Sequence, residues 1–110
     1  MKKICFDIDG VICQTFKSNY ESSKPDYKAI KIINKLYDSG NYIIIFTARY
    51  MGRNNQKISK AKKQGYKLTF NQLKKWNVKF HKLIFGKPSY DIIIDDRSFS
   101  YSSNWKKKLK

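Results

Sequence analysis

The chain is poor in cysteine, proline, histidine and acid, and each shortage excludes something. Two cysteines, Cys5 and Cys13, cannot build a disulfide framework and show no metal-ligand spacing. Reduced thiols in a cytoplasmic protein are expected, with Cys5 a small core residue. Two prolines and five glycines among 110 residues exclude collagen-like and Pro/Gly-rich disordered chains. No apolar run approaches the roughly 20 residues of a membrane helix. The N-terminus leads into a strand-like run instead of a signal peptide, so no membrane partner is expected. Only eight residues are acidic against 24 Lys and Arg, a net charge of +16. Carboxylates are therefore scarce, and their positions are informative.

What is present fits a globular fold. Hydrophobic residues make up 41% and aromatic residues 15% of the chain, enough for one core at this length. Residues 1–105 form the expected domain, with 106–110 a basic, solvated tail. The positive charge suits an anionic partner. Yet the cations are nearly all Lys, with only Arg49, Arg53 and Arg97 as arginines, and Ile and Asn are also plentiful. That joint bias resembles AT-rich codon usage. The lysines are also scattered along the sequence, so nucleic acid is not the favoured partner.

Residues 3–8 are apolar and β-prone, and Asp7-Ile8-Asp9-Gly10 closes the run. Residues 11–23 lack a clear period and predict a local form such as a hairpin flap. Pro25 suits a first helical turn, and Ile30, Ile33, Leu36 and Tyr37 recur at helical spacing up to Gly40, giving a helix over 25–39. Residues 42–46 predict a buried parallel strand ending in Thr47-Ala48-Arg49. The lysine-rich stretch 52–64 is a weak helix or partly a loop. Thr69-Phe70-Asn71-Gln72 has the form of a capping box opening a further helix. Strands are expected at 82–85, before Gly86-Lys87-Pro88, and at 91–94, before Asp95-Asp96-Arg97. His81 lies outside every motif and reads as structural. Alternating strands and helices predict an α/β protein with a doubly wound, Rossmann-like parallel sheet.

Four strands running parallel would deliver Asp7 and Asp9, Thr47, Lys87, and Asp95 and Asp96 to one sheet edge, where open α/β sheets bind ligands. Four carboxylates repel one another there unless a cation neutralises them. All-oxygen ligation suits Mg²⁺. A lysine and a threonine at the same edge supply a charge and a hydroxyl for phosphate oxygens, which together describe a phosphoryl-transfer site. Singly, each group has a structural explanation: Thr47 as a cap, Lys87 as a surface lysine, Asp96-Arg97 as an exposed ion pair.

Asp7-x-Asp9-Gly10 and Asp95-Asp96, with Thr47 and Lys87 between them in order, resemble the motifs of the haloacid dehalogenase (HAD) superfamily over nearly the whole chain. The resemblance implies a capless HAD-type phosphatase. Asp7 would be the nucleophile that becomes an aspartyl-phosphate. Asp9 would be the general acid and then the base, its main-chain carbonyl touching the metal. Thr47, Ala48, Arg49 and Lys87 would hold the phosphoryl group, and Asp95 with Asp96 would hold Mg²⁺ alongside Asp7. The stretches around Phe46-Thr47-Ala48-Arg49, Gln72 to Trp76 and Gly86 to Asp91 are similar to small phosphatases of capsular or surface polysaccharide biosynthesis. A sugar phosphate or related precursor is thus the expected substrate. A nucleotide or nucleic-acid-end phosphatase and a catalytically idle HAD-like assembly module are the alternatives. Phe16, Tyr20, Phe99, Tyr101 and Trp105 fall outside the core pattern and suggest a homo-oligomer that closes an uncapped site.

Overall fold

The computed structural model describes residues 1–99 and 105–108. It is a small α/β domain around a three-stranded parallel sheet, β1 (Lys3–Phe6), β4 (Tyr42–Thr47) and β5 (Lys82–Phe85), in the order β1-β4-β5. The flap between β1 and the first helix is a hairpin, as expected. Its strands β2 (Cys13–Gln14) and β3 (Lys24–Pro25) are antiparallel, with a 3-10 turn at Tyr20–Ser22 between them.

Helix α1 (Tyr27–Asp38) joins β1 to β4, and α2 (Ile58–Lys75) joins β4 to β5. Both connections step the same way across the sheet, so right-handed crossovers place both helices on one face. Asn34 of α1 accordingly donates to Asn77 O and accepts from Lys79 N just beyond α2, both at 2.8 Å. Under the helices lie Ile43, Ile45 and Thr47 of β4, all fully buried, while Ile44 and Phe46 on the other face are only half-buried. The core joins Ile43 and Ile45 to Ile8, Ile12, Ile33 and Leu73.

Several local expectations are revised. Pro25 sits in β3, and the helix begins two residues later because Asp26 caps it, accepting from Lys28 N and Ala29 N at 3.1 Å. The same carboxylate pairs with Lys106 at 2.7 Å, so that residue of the expected solvated tail is tied to the fold within a short helix α3 (Trp105–Lys108). Trp105 packs on Phe6 with ring centroids 6.2 Å apart and is buried, which makes it core instead of subunit interface. Tyr101 lies outside the described residues. His81 has the structural role expected of it. Its Nδ1 accepts from Ile43 N at 3.0 Å, and its ring stacks between Tyr37 and Tyr42.

The largest revision concerns α2. Residues 58–75 form one continuous helix, so Thr69 is a buried mid-helix residue and no capping box forms. Tertiary packing overrides the local signal. Ala61, Gly65, Thr69 and Leu73 recur every fourth residue and form the face laid on the core. Residues 91–94, expected as a strand, are not one. Ile92, Ile93 and Ile94 are 80, 54 and 96% exposed, and β1 pairs with β4 alone among the described residues.

Gly65 is required by a close approach. A Cβ there would lie 2.1 Å from the Tyr50 ring, which is itself buried. Gly65→Ala should therefore destabilise the domain by about 1–3 kcal/mol through overpacking, although alanine is favoured over glycine in a helix by about 1 kcal/mol. Urea unfolding of the two proteins checks this, and Tyr50→Leu in the Gly65→Ala background should recover part of the loss.

Candidate active site

The main chain after β1 curls around one carbonyl. Ile8 O accepts from Val11, Ile12 and Cys13 N at 3.1, 2.8 and 3.3 Å, and Gly10 takes a φ of +86° that side-chain-bearing residues rarely adopt. Ile8 and Ile12 are driven into the core, which leaves Asp7 and Asp9 at the strand end. At β5 the ladder continues one step through Lys87 N to Thr47 O, 3.1 Å. That step carries Lys87 to the same edge, where its Nζ donates to Asp7 Oδ2 at 3.0 Å across 80 residues of sequence. Asp7 Oδ1 accepts from Ile8 N at 2.8 Å.

Lys87 and Asp7 form a partly exposed pair, with side chains 17 and 33% accessible. Burial acts to lower the Lys87 pKa. Tyr90 and Asp7 outweigh it and hold the ammonium above its ordinary value. The Tyr90 ring centroid lies 5.3 Å from that nitrogen, a neighbour not foreseen from the sequence.

Asp9 has a different partner. Arg49 is 1% exposed, and its Nε and Nη2 reach the Asp9 carboxylate at 2.9–3.2 Å. Its remaining N–H groups go to Gln72 Oε1 at 2.6 Å, Thr69 Oγ1 at 3.4 Å, Ser23 Oγ at 3.3 Å and Cys13 Sγ at 3.6 Å. Burial would lower the Arg49 pKa, but Asp9 more than offsets this and the guanidinium stays charged. The structure thus engages every Arg49 donor inside the protein, whereas the resemblance implied an arginine holding the phosphoryl group. Thr47 is also fully buried, its Oγ1 accepting from Arg49 N at 3.0 Å, in the manner of a cap. Ala48 forms the next turn, its carbonyl accepting from Met51 N at 3.0 Å.

The flap supplies residues that the motif pattern missed. Thr15 Oγ1 donates to Asp9 Oδ1 at 2.5 Å and shares a 2.6 Å hydrogen bond with Ser23 Oγ. Burial pushes the Cys13 thiol up, which favours its neutral form beside Asp9. Gln72, read as a cap, instead bridges Arg49 to Tyr20 O at 2.6 Å. Only a flap rich in small hydroxyls directly after the Asp pair hinted at this cluster.

Asp95 and Asp96 are not brought to this edge. Both are exposed, and Asp95 Oδ1 accepts from Arg97 N at 2.8 Å, closing a local turn. Among the described residues no three acidic, His or Cys groups gather as a metal site. The expected four-carboxylate set is thus half assembled, at Asp7 and Asp9.

No family model and no curated protein matches the chain. Two solved structures resemble it. A crystal structure of an MCSG target from Vibrio cholerae is 26% identical, with a TM-score of 0.83 over 99% of this chain and 96% of that one. A chain in the structure of the Pnkp1/Rnl/Hen1 complex is 16% identical, with a TM-score of 0.56, and shares the fold alone. This chain covers 98% of its own length but 33% of that neighbour. No described helix is long and apolar enough to cross a membrane.

Gln72→Leu would strip the buried guanidinium of its shortest neutral acceptor and the flap of one tether. An unpaired buried donor costs about 1–3 kcal/mol. Chemical denaturation should show a loss of that size, whereas Asn71→Leu, on the exposed side of α2, should be near neutral.

Proposed function

We propose that the chain is a HAD-type phosphomonoesterase, a capless and reduced form of the doubly wound fold in which α1 and α2 cover one sheet face, acting on a small phosphorylated molecule such as a sugar phosphate. The observation that carries this reading is the Lys87 Nζ to Asp7 Oδ2 pair at the end of β1, with Asp9 two residues further on. A carboxylate held beside an ammonium at an accessible strand end can receive a phosphoryl group while the lysine balances the charge that gathers on its oxygens. The overall likeness to the Vibrio cholerae structure is compatible with such a domain.

In the proposed reaction an Asp7 oxygen attacks phosphorus and the ester P–O bond breaks. Asp9, the countercharge of Arg49 at rest, takes a proton from solvent water at Oδ2 and passes it to the departing oxygen. Water then attacks the aspartyl-phosphate, Asp9 takes a proton back, and Asp7 and inorganic phosphate are released. Lys87 orients the phosphoryl oxygens in both steps. Thr47, Ala48 and the main chain around them shape the edge.

Mg²⁺ is part of the proposal only together with the last acidic pair. In their described positions the residues do not fit the ion: Asp9 is engaged by Arg49, and Asp7 alone remains as a side-chain ligand. Asp95 and Asp96 would have to be carried to Asp7 by residues 88–99, completing the sheet beside the edge of β1 that no described strand pairs. The ion would then supply charge neutralisation. The exposed Ile92, Ile93 and Ile94 give that movement an apolar driving force. A homo-oligomer that shields the open site remains part of the reading, with Phe16 at 76% and Phe99 at 51% exposure as its contact groups.

A second reading has one observation in its favour. Helix α2 exposes Lys60, Lys62, Lys63, Lys67, Lys74 and Lys75 and contains no acidic residue, so the lysines are less scattered in space than in sequence. Since α2 runs back from the edge where β4 ends, this face could track a polyanion whose terminal phosphate lies at Asp7.

Asp7→Asn should keep the fold by circular dichroism and lose phosphate release from p-nitrophenyl phosphate by at least about 1000-fold. Chelator should abolish wild-type activity, and Mg²⁺ should restore it and raise the Tm. Activity persisting in Asp7→Asn would overturn the covalent route, and activity persisting in chelator would remove the ion from it. A panel of sugar phosphates, nucleotides and 3′-phosphorylated oligonucleotides at physiological salt separates the substrate readings, and inertness toward all of them would favour an assembly module.

A further inference from the structure

The Arg49 cluster is asymmetric about Asp9, and the asymmetry has chemical content. Asp9 Oδ1 receives Arg49 Nη2 at 2.9 Å, Arg49 Nε at 3.2 Å, Thr15 Oγ1 at 2.5 Å and the Cys13 thiol at 3.6 Å. Asp9 Oδ2 receives Arg49 Nε alone, at 3.0 Å. One oxygen is saturated, and the other keeps open lone-pair positions in a side chain that is 28% exposed.

The groups that saturate Oδ1 come from two places. Arg49 leaves β4 and is buttressed from α2 by Thr69 and Gln72. Thr15, Ser23 and Cys13 belong to the flap. The flap is also held by Gln72 Nε2 to Tyr20 O and by the Tyr20 ring, whose centroid is 4.8 Å from the Arg49 guanidinium carbon. The tip beyond Thr15 turns through Lys17 and Ser18 at positive φ, 47° and 59°, which confines the bend to a segment outside the latch.

We propose that Arg49 is a positioning residue: its buried fork, together with Thr15, fixes Asp9 so that Oδ2 alone faces the reacting edge, and it latches the flap to that same carboxylate. Docking of the flap and aiming of Asp9 are then one event. The catalytic part rests on the phosphatase reading, whereas the latch stands on the hydrogen bonds whatever the chain acts on. Lysine cannot replace this arginine, because a single ammonium cannot span both Asp9 oxygens and also reach Gln72 and Ser23.

The test compares wild type with Arg49→Lys, Arg49→Gln and Thr15→Val. It measures p-nitrophenyl phosphate kinetics, inhibition by inorganic phosphate, and hydrogen exchange of the flap amides. In both Arg49 variants kcat should fall about 100-fold, the effect of one misplaced proton-transfer group, with KM and phosphate inhibition within about twofold of wild type. Thr15→Val, which removes one donor and keeps the shape, should lower kcat about tenfold at unchanged KM. Flap amides should exchange faster in all three variants. Should the Arg49 variants fail to fold, Thr15→Val carries the same kinetic and exchange comparison. Raised KM and weakened phosphate inhibition at constant kcat would overturn the proposal in favour of direct phosphate binding by Arg49. Unchanged flap exchange would overturn the latch. A wild type inert toward phosphomonoesters, with flap exchange still dependent on Arg49 and Thr15, would refute the phosphatase reading and the catalytic role while leaving the latch in place.

Discussion

A charged guanidinium sealed inside a domain of this size is the constraint on which the rest of the structure depends. Arg49 is 1% exposed, and a charge removed from water is tolerated only when paired and fully hydrogen-bonded. Every neighbour is arranged to meet that demand. Asp9 supplies the countercharge, α2 supplies Thr69 and Gln72, and the flap supplies Ser23 and Cys13. Sheet, helix and flap are thereby joined at one point. Their relative placement follows from satisfying a single side chain.

The two aspartates after β1 are consequently unlike each other despite their adjacency. Asp7 meets a flexible ammonium at the accessible edge, and Asp9 meets a rigid fork in the interior. One environment leaves a carboxylate able to exchange partners, and the other fixes it. The strand end thus presents one carboxylate paired with a partly exposed ammonium and a second held by a buried fork.

Much of this was legible from the sequence, for a definite reason. The strands at 3–6, 42–47 and 82–85 are short apolar runs closed by turn residues, a pattern that few other structures satisfy. Helix α1 carries a clean amphipathic period. Long-range partnerships were not legible. Nothing local distinguishes Arg49 from a surface arginine, and nothing local makes Thr69 a buried acceptor in place of a cap. Its surroundings are set by residues 20 and more positions away. The 91–94 run shows the opposite failure: apolar composition suggested a strand, but a strand also needs an edge to pair with, and composition does not supply one.

The contact between Gly65 and Tyr50 has a consequence for descent. Because the ring occupies the space where a side chain on α2 would begin, the two positions cannot drift independently. Along any lineage that keeps this fold, a larger residue at 65 is admissible only after or together with a smaller one at 50. Tyr50 in turn packs at a tilt against Tyr20 of the flap, ring centroids 4.8 Å apart, and lies under Arg53. A change in the helix therefore propagates through one aromatic ring to the flap, so an alignment of homologues should show positions 20, 50 and 65 varying as a linked set.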